Sequence, residues 1–180
     1  MSDNYEISDR ELVLSTLAGD RQSYGQLVER HQDAVYNVAY RMACSNAEAA
    51  DATQEAFVRA YQKIRQFDPD KSFRNWVMSI CVNRLKNRFR SFSRQRSTEE
   101  SYLTQTEVDA TADPRVAAVE EVLNDMPDKL RMPLVLKYIE GMKHSEIGNV
   151  LKISVSASKM RTKRALEELT ARLSESGGGV

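Results

Sequence analysis

Glycine and proline are scarce in this sequence, which therefore has few of the turn signals that a β-rich chain needs. The 180 residues include 7 glycines and 4 prolines, and few stretches alternate between apolar and polar side chains as strands do. Apolar residues recur instead at a helical period behind capping residues. The pattern predicts an all-α fold.

Only two cysteines are present, and both lie within apolar helical patterns. Cys44 and Cys81 have no neighbouring histidine pair, so their spacing offers no metal-ligand set. We expect two small buried side chains in a reducing compartment. His31 and His144 are far apart and accompany no nucleophile motif or phosphate-binding glycine loop. The sequence gives no support for an enzyme, a metal or a cofactor.

Long hydrophobic runs are also missing. No apolar stretch is long enough to span a bilayer, and residues 1–20 lack the basic start and apolar centre of a secretory signal. We therefore expect a cytoplasmic protein.

An excess of one charge sign is absent from the whole chain but present locally. The sequence has 26 basic and 26 acidic side chains, so a nucleic-acid site requires segregated charge. Between residues 71 and 98 no acidic residue occurs, and the charged residues are Lys71, Arg74, Arg84, Lys86, Arg88, Arg90, Arg94 and Arg96. This segment is a candidate nucleic-acid surface.

Helix starts can be read from hydroxyl side chains. Ser8, Ser23 and Ser45 each precede a glutamate or glutamine by three residues, which is the spacing of a capping box. Ser72 can cap a fourth helix after the turn at residues 67–70. These signals predict four helices in the first half of the chain.

The chain changes character between about residue 95 and residue 113. Helical periodicity fails there, and glutamates and aspartates lie among serines and threonines, as in a poorly ordered linker. The pair Asp113-Pro114 then supplies an N-cap and a proline at the first helical position. We predict an N-terminal domain at 1–95, a flexible acidic linker at 96–112, a C-terminal domain at 113–174 and a flexible tail at 175–180.

The fourth predicted helix has a polar side opposite the face of Trp76 and Ile80. Cations and amides on one side of a helix can follow a phosphate backbone and reach base edges; the alternative is a solvated basic stripe. Phe89 and Phe92 could stack on unpaired bases or pack in a core. The polar side carries Ser79, Asn83, Lys86, Asn87, Arg90 and Arg94.

The C-terminal segment has the pattern of a helix-turn-helix. A short helix at 145–151, a turn at 152–153 and a longer helix from Ser154 to about residue 173 would place the start of the second helix in a major groove. An ordinary helical hairpin with a solvated face is the alternative. The residues predicted to face DNA are Ser156, Ala157, Lys159, Met160, Arg161, Lys163 and Arg164.

Three segments together resemble a known family. Residues 48–61, EAADATQEAFVRAY, are similar to the region 2.2 helix of extracytoplasmic-function (ECF) sigma factors of the sigma-70 family, and residues 73–87, FRNWVMSICVNRLKN, to regions 2.3 and 2.4. A third set of residues is similar to region 4. It consists of Met126-Pro127, Arg131, Pro133-Leu134, Leu136, Tyr138, Glu140-Gly141, Glu146-Ile147, Lys159, Arg161 and Arg164-Ala165.

The resemblance implies two all-α domains, a region 2 bundle and a region 4 helix-turn-helix, that direct RNA polymerase to promoters. It assigns binding of the β′ clamp coiled coil of the polymerase core to Asp51, Gln54, Glu55 and Phe57. It assigns melting and reading of the downstream promoter element to Arg74, Asn83, Lys86, Asn87, Arg90 and Arg94, with Asn83 near the pocket for a flipped base. The region 4 domain would bind the β flap and the upstream promoter element.

The resemblance also implies control by an anti-sigma factor, which could hold the chain at the inner face of the membrane. The sequence departs from the family pattern in the helix-turn-helix: Lys152 stands at the usual turn glycine, Gly148 at the usual small helix residue, and Ser158 and Thr162 at positions expected to be apolar. These departures leave the base contacts of the second helix open. Two other functions are compatible with the residues: a stand-alone helix-turn-helix regulator, and a sigma mimic that sequesters an anti-sigma factor.

Overall fold

The computed structural model describes residues 7–43, 45–95 and 114–177. These residues form α-helices and one short 3-10 turn, with no strand in the described ranges, which confirms the predicted all-α fold. The helices are α1 (Asp9–Leu17), α2 (Arg21–Ala43), α3 (Asn46–Lys63), α4 (Phe73–Gln95), α5 (Pro114–Asp125), α6 (Asp128–Tyr138), α7 (His144–Leu151) and α8 (Val155–Gly177). The predicted linker at 96–112 lies outside the described residues.

Three of the predicted caps are present. Ser8 and Glu11 form a complete capping box at α1, in which each backbone N–H donates to the side chain of the other residue. At α3 the backbone N–H of Glu48 donates to Ser45 Oγ at 3.4 Å. At α4 the Asn75 N–H donates to Ser72 Oγ at 3.2 Å. Each hydroxyl satisfies a backbone donor that has no partner within its helix.

The predicted cap at Ser23 is wrong, because α2 begins earlier. Asp20 accepts from the Gln22 backbone N–H at 2.9 Å, and the Ser23 hydroxyl donates to the same carboxylate at 2.7 Å. Ser23 lies within the first turn and is buried. Asp20 is as good an N-cap as serine, so the local pattern allowed either start.

Helices α1 to α4 enclose an apolar core, and α3 packs against α4. The largest side chains with almost no exposed surface include Phe73, Leu12, Leu27, Met42, Met78 and Leu85. Cys81 belongs to this core with 1% exposure, as predicted; Cys44 lies outside the described residues. Burial raises the pKa of the Cys81 thiol to about 12, so it stays protonated at neutral pH.

Helices α5, α6 and α8 form a smaller apolar cluster of their own. It consists of Leu123, Met126, Leu130, Leu134 and Ala165. Helix α5 starts at Pro114, as the Asp113-Pro114 signal predicts. The opposite side of α6 and the buried side of α7 belong to the same contiguous cluster as the N-terminal core. The two halves of the chain therefore pack against each other, with α4 against α7 and α2 against α5 and α6.

The turn between α7 and α8 explains two departures from the family pattern. Lys152 has a φ of +56°, the left-handed conformation that usually belongs to glycine at a helix end. A Cβ atom on Gly148 would lie 2.8 Å from the Ile153 carbonyl oxygen. The turn thus needs the glycine at 148 more than at 152. Ser154 caps α8 by accepting from the Ala157 N–H at 3.1 Å.

Candidate nucleic-acid interface

The outer face of α3 holds three of the residues predicted to bind polymerase. Asp51 and Gln54 are exposed, and Glu55 is half-buried beside them. Phe57 is only 6% exposed and packs into the core, at the floor of a groove of about 440 Å³ between α2 and α3. The structure therefore brings the three polar residues together at the surface and turns Phe57 inward.

Two further residues on this face were not among those predicted to bind polymerase. Val58 is 50% exposed and Tyr61 is 40% exposed. With Asp51 and Gln54 they have spacings of three, four and three residues, so all four lie on one side of α3. An apolar strip beside an acidic group is typical of a protein-binding surface. The spacing was visible in the sequence, but it gave no reason to place Val58 outside the core.

Some cations of the basic segment face α3 rather than solvent. The Arg84 guanidinium forms ion pairs with Asp51 and Glu55. Arg88 pairs with Glu48 at 2.9 Å. The acidic partners of these arginines lie on a different helix, α3. The sequence of the basic segment, which contains no acidic residue, therefore could not show that two of its cations are paired. These ion pairs hold α4 against α3 and orient the carboxylates on its outer face.

Part of the polar side of α4, together with the first turn of that helix, faces the C-terminal half of the chain. Lys86 Nζ donates to the Leu151 carbonyl oxygen at 2.8 Å, and Asn75 Nδ2 donates to Glu146 Oε1 at 2.7 Å. Arg74, at the start of α4, pairs with Glu140. Two residues predicted to bind DNA, Arg74 and Lys86, thus contact the C-terminal half.

The other predicted α4 residues lie along the same helix. Asn83 is half-buried and Asn87 is exposed. Arg90 and Arg94 belong to α4, but their side chains lie outside the described residues. Trp76 stacks on Phe67 with ring centroids 4.7 Å apart, which supports the turn before α4. This turn, α4 and α7 enclose a groove of about 510 Å³ lined in part by Asn75 and Ser79.

The start of α8 carries the predicted DNA-facing residues on its outer side. Ser156, Lys159, Met160, Lys163 and Arg164 are exposed, and Ala157 and Arg161 are half-buried at the edge of that face. Met160 is 70% exposed, the highest value among the exposed large apolar side chains of the described residues. The arrangement offers cations for phosphates and a methyl group for a base edge.

The inner side of α8 carries polar residues where apolar ones are expected. Ser158 is fully buried and Thr162 is 3% exposed. The Ser158 hydroxyl lies 3.0 Å from His144 Nδ1, which connects α8 to the start of α7. Desolvation, together with the ammonium groups of Lys137 and Lys159, holds the pKa of His144 below its ordinary value. The imidazole is therefore predominantly neutral at neutral pH and adds no charge to the surface.

Comparisons with known proteins show the family to which the chain belongs. The family model of sigma-70 region 2 matches residues 27–95, and that of sigma-70 region 4 matches residues 117–169. The ECF RNA polymerase sigma factor SigW of Bacillus subtilis is 31% identical, over 93% of this chain and 98% of its own length. The chain belongs to the ECF group of the sigma-70 family.

A solved structure supports the assignment. CnrH, in complex with the cytosolic domain of CnrY, is similar with a TM-score of 0.71 and 30% identity, over 93% of this chain and 97% of that one. The sigma factor RpoE of Bartonella quintana, solved with the anti-sigma factor NepR, shares the fold with a TM-score of 0.76 at 16% identity. As an ECF sigma factor, the chain is a transcription initiation factor of RNA polymerase.

Membrane spans and metal sites can be assessed for the residues that the structure describes. Within the described ranges, no helix is long and apolar enough to cross a membrane. Among the same residues, no three histidine, cysteine or acidic side chains come together as metal ligands.

Proposed function

We propose that this sigma factor binds the polymerase core through the outer face of α3, reads and melts the downstream promoter element with α4, and binds the upstream element with α8. In this role it acts as an initiation factor rather than as an enzyme, and it works in the cytoplasm. The observation that carries the proposal is the presence in one chain of a cationic helix-turn-helix face and a separate acidic-apolar face on α3.

The geometry of α8 supports the upstream contact. The exposed cations lie on one side of a helix that follows a tight turn, and α7 braces it from behind, as in helix-turn-helix proteins. Lys159 and Lys163 suit phosphates, and Met160 between them suits a thymine methyl group. We propose direct roles for Ser156, Ala157, Arg161 and Arg164 on the same grounds.

The geometry of α3 supports the polymerase contact. Asp51, Gln54 and Glu55 present polar groups, and Val58 and Tyr61 add apolar area that a partner helix can cover. Arg84 keeps two of the carboxylates in place by pairing with them. Phe57 supports this face from below, so its contribution is to the shape of the surface.

These surfaces suggest a separate function for each part of the chain. We propose a polymerase-binding and melting unit at 1–95, an acidic linker at 96–112, an upstream-binding unit at 113–174 and a short tail at 175–180. We also propose an anti-sigma partner, because the similar chain CnrH has been solved with the cytosolic domain of CnrY. A partner of that kind would hold this chain at the inner face of the membrane.

A charge introduced at Val58 tests the polymerase contact. Val58→Arg should weaken binding to sigma-free core polymerase at least tenfold, because an arginine would have to be desolvated within an apolar contact. Binding is measured by the anisotropy of a fluorescently labelled chain titrated with core polymerase.

The matched control is Leu14→Arg, which changes a similarly exposed apolar residue on α1 (43% against 50%). It should bind like the parent, and both variants should keep the parent's melting temperature. A Val58→Arg chain that binds core polymerase normally would remove α3 from the contact. If the parent chain does not bind core polymerase but does bind duplex DNA, the result would favour a stand-alone regulator.

A further inference from the structure

Two of the α4 residues that the proposed function assigns to DNA, Arg74 and Lys86, are bound by the chain's own C-terminal half. Lys86 donates its ammonium hydrogen to the carbonyl oxygen of Leu151, at the end of α7. That oxygen is one of the last carbonyls of a helix, where a cation is favoured. A lysine in this position is not available to a phosphate.

Two carboxylates of the C-terminal half bind side-chain donors at the start of α4. Glu140 pairs with Arg74, and its side chain is only 5% exposed. Glu146 accepts from the Asn75 amide at 2.7 Å. Because carboxylate and phosphate compete for the same donors, DNA can reach this end of α4 only if the two carboxylates leave.

A buried arginine joins the halves at a second place. Arg131 of α6 is 6% exposed and donates to the Met42 carbonyl oxygen at 2.9 Å, in the last turn of α2. It also bonds to Asp128 and to the Leu123 carbonyl oxygen within its own half. The cation lies at the negative end of the α2 dipole, so the contact is electrostatically favourable.

Apolar packing extends across the same boundary. Buried side chains of α6 and α7 join the cluster that forms the core of α1 to α4, so separation of the halves would expose apolar surface. By contrast, the outer face of α8 remains open, with Lys159 and Lys163 exposed. The contact therefore covers part of the proposed DNA-binding surface on α4 and leaves that on α8 exposed.

We propose that the free sigma factor rests in a closed, self-inhibited state in which α7 covers α4. In this state it can bind duplex DNA through α8 but cannot engage the downstream element until α7 leaves α4. The proposal rests on the assignment of α4 to DNA in the proposed function. It adds that the chain's own helices supply an inhibitory contact, independently of any anti-sigma factor.

The first test loosens the contact. Glu140→Gln/Glu146→Gln removes both competing carboxylates. Arg131 is left unchanged, because the bonds that Arg131 makes within the C-terminal half support the fold of that half. The apparent affinity for DNA scales with the open fraction. The double variant should therefore bind a fluorescein-labelled, random-sequence single-stranded oligonucleotide about tenfold more tightly than its control, and the salt slope should steepen by about one unit.

The control has the same change in charge at a distance from the contact. Glu29→Gln/Glu121→Gln alters two exposed acids, on α2 and α5, and should bind the oligonucleotide nearly as the parent does. Equal affinity of the two double variants would overturn the proposal. Both double variants lose two negative charges, so a comparison of their DNA affinities cancels the general effect of charge on binding.

The second test locks the contact. Asn75→Cys/Glu146→Cys, in a Cys44→Ser background, should cross-link with a short dithio-bismaleimide, since the two native side chains are in hydrogen-bond contact and Cys81 is buried. Cross-linking should weaken single-stranded DNA binding severalfold, and reduction of the cross-linker should restore it. Binding to random-sequence duplex should change little.

Two results would contradict the closed state: a cysteine pair that does not cross-link in the free chain, or a cross-linked chain that binds single-stranded DNA as tightly as the reduced one. Neither measurement contains polymerase. A failure of the proposed function would instead appear as a loss of core-polymerase binding, so the two failures are distinguishable.

Discussion

Gly148 is the residue at which the helix-turn-helix leaves no room for a side chain. Gly148→Ala would place a Cβ atom 2.8 Å from the Ile153 carbonyl oxygen, and the tight turn cannot move away without losing the Ile153 N–H bond to the Gly148 carbonyl oxygen. We expect a loss of about 1–3 kcal/mol in the free energy of unfolding, measured by urea denaturation.

Gly25→Ala is the matched control for this prediction. Gly25 lies within α2, and a Cβ atom there would meet nothing within 4 Å. Alanine is the better helix former, so this variant should gain up to about 1 kcal/mol. If both variants lose stability, or both gain it, the close approach of residue 148 to the Ile153 carbonyl oxygen does not explain the need for glycine at 148.

At single residues, the sequence identified unusual positions without explaining them. Lys152 and Ser158 stood out because they replace a glycine and an apolar residue of the family pattern. Their accommodation depends on backbone angles and on contacts between helices: Lys152 takes a left-handed conformation, and Ser158 meets His144. Neither a φ angle nor a contact 14 residues away follows from local composition.

At the scale of helices, α4 offers a prediction that separates polymerase binding from promoter opening. Asn83→Ala should reduce open-complex formation roughly tenfold, because a side-chain amide that reads a base contributes about 1–3 kcal/mol. Core-polymerase binding should be unchanged, since Asn83 lies on α4 and not on the outer face of α3. Permanganate reactivity of unpaired thymines measures the opening.

Asn37→Ala is a suitable control, since it removes an exposed amide from α2. It should open promoters like the parent. Unchanged opening with Asn83→Ala would show that another residue forms the base pocket.

Helix boundaries were largely predictable, and charge partners were not. The caps Ser8, Ser45, Ser72 and Ser154 act within three residues of the cap, so short-range patterns contain them. Arg84 and Asp51 are 33 residues apart and meet only because α3 and α4 pack together. The basic segment therefore looked like one continuous DNA surface, although part of it is paired with α3.

At the scale of the whole molecule, motifs indicated the family, and the packing of the two halves went unpredicted. Periodicity defines which face of a helix is apolar, but not which of several apolar faces it meets. The bond between Arg131 and the Met42 carbonyl oxygen spans 89 residues and depends on the shapes of both halves. The resemblance therefore gave the functional surfaces but not their accessibility in the free chain.

The most direct test of the account is reconstitution of the purified chain with sigma-free core polymerase on a library of promoter fragments. We predict a stable complex and RNA that starts at defined positions on a subset of fragments, with initiation falling steeply as salt rises. Duplex DNA binding without a polymerase complex and without specific RNA would contradict the sigma-factor assignment.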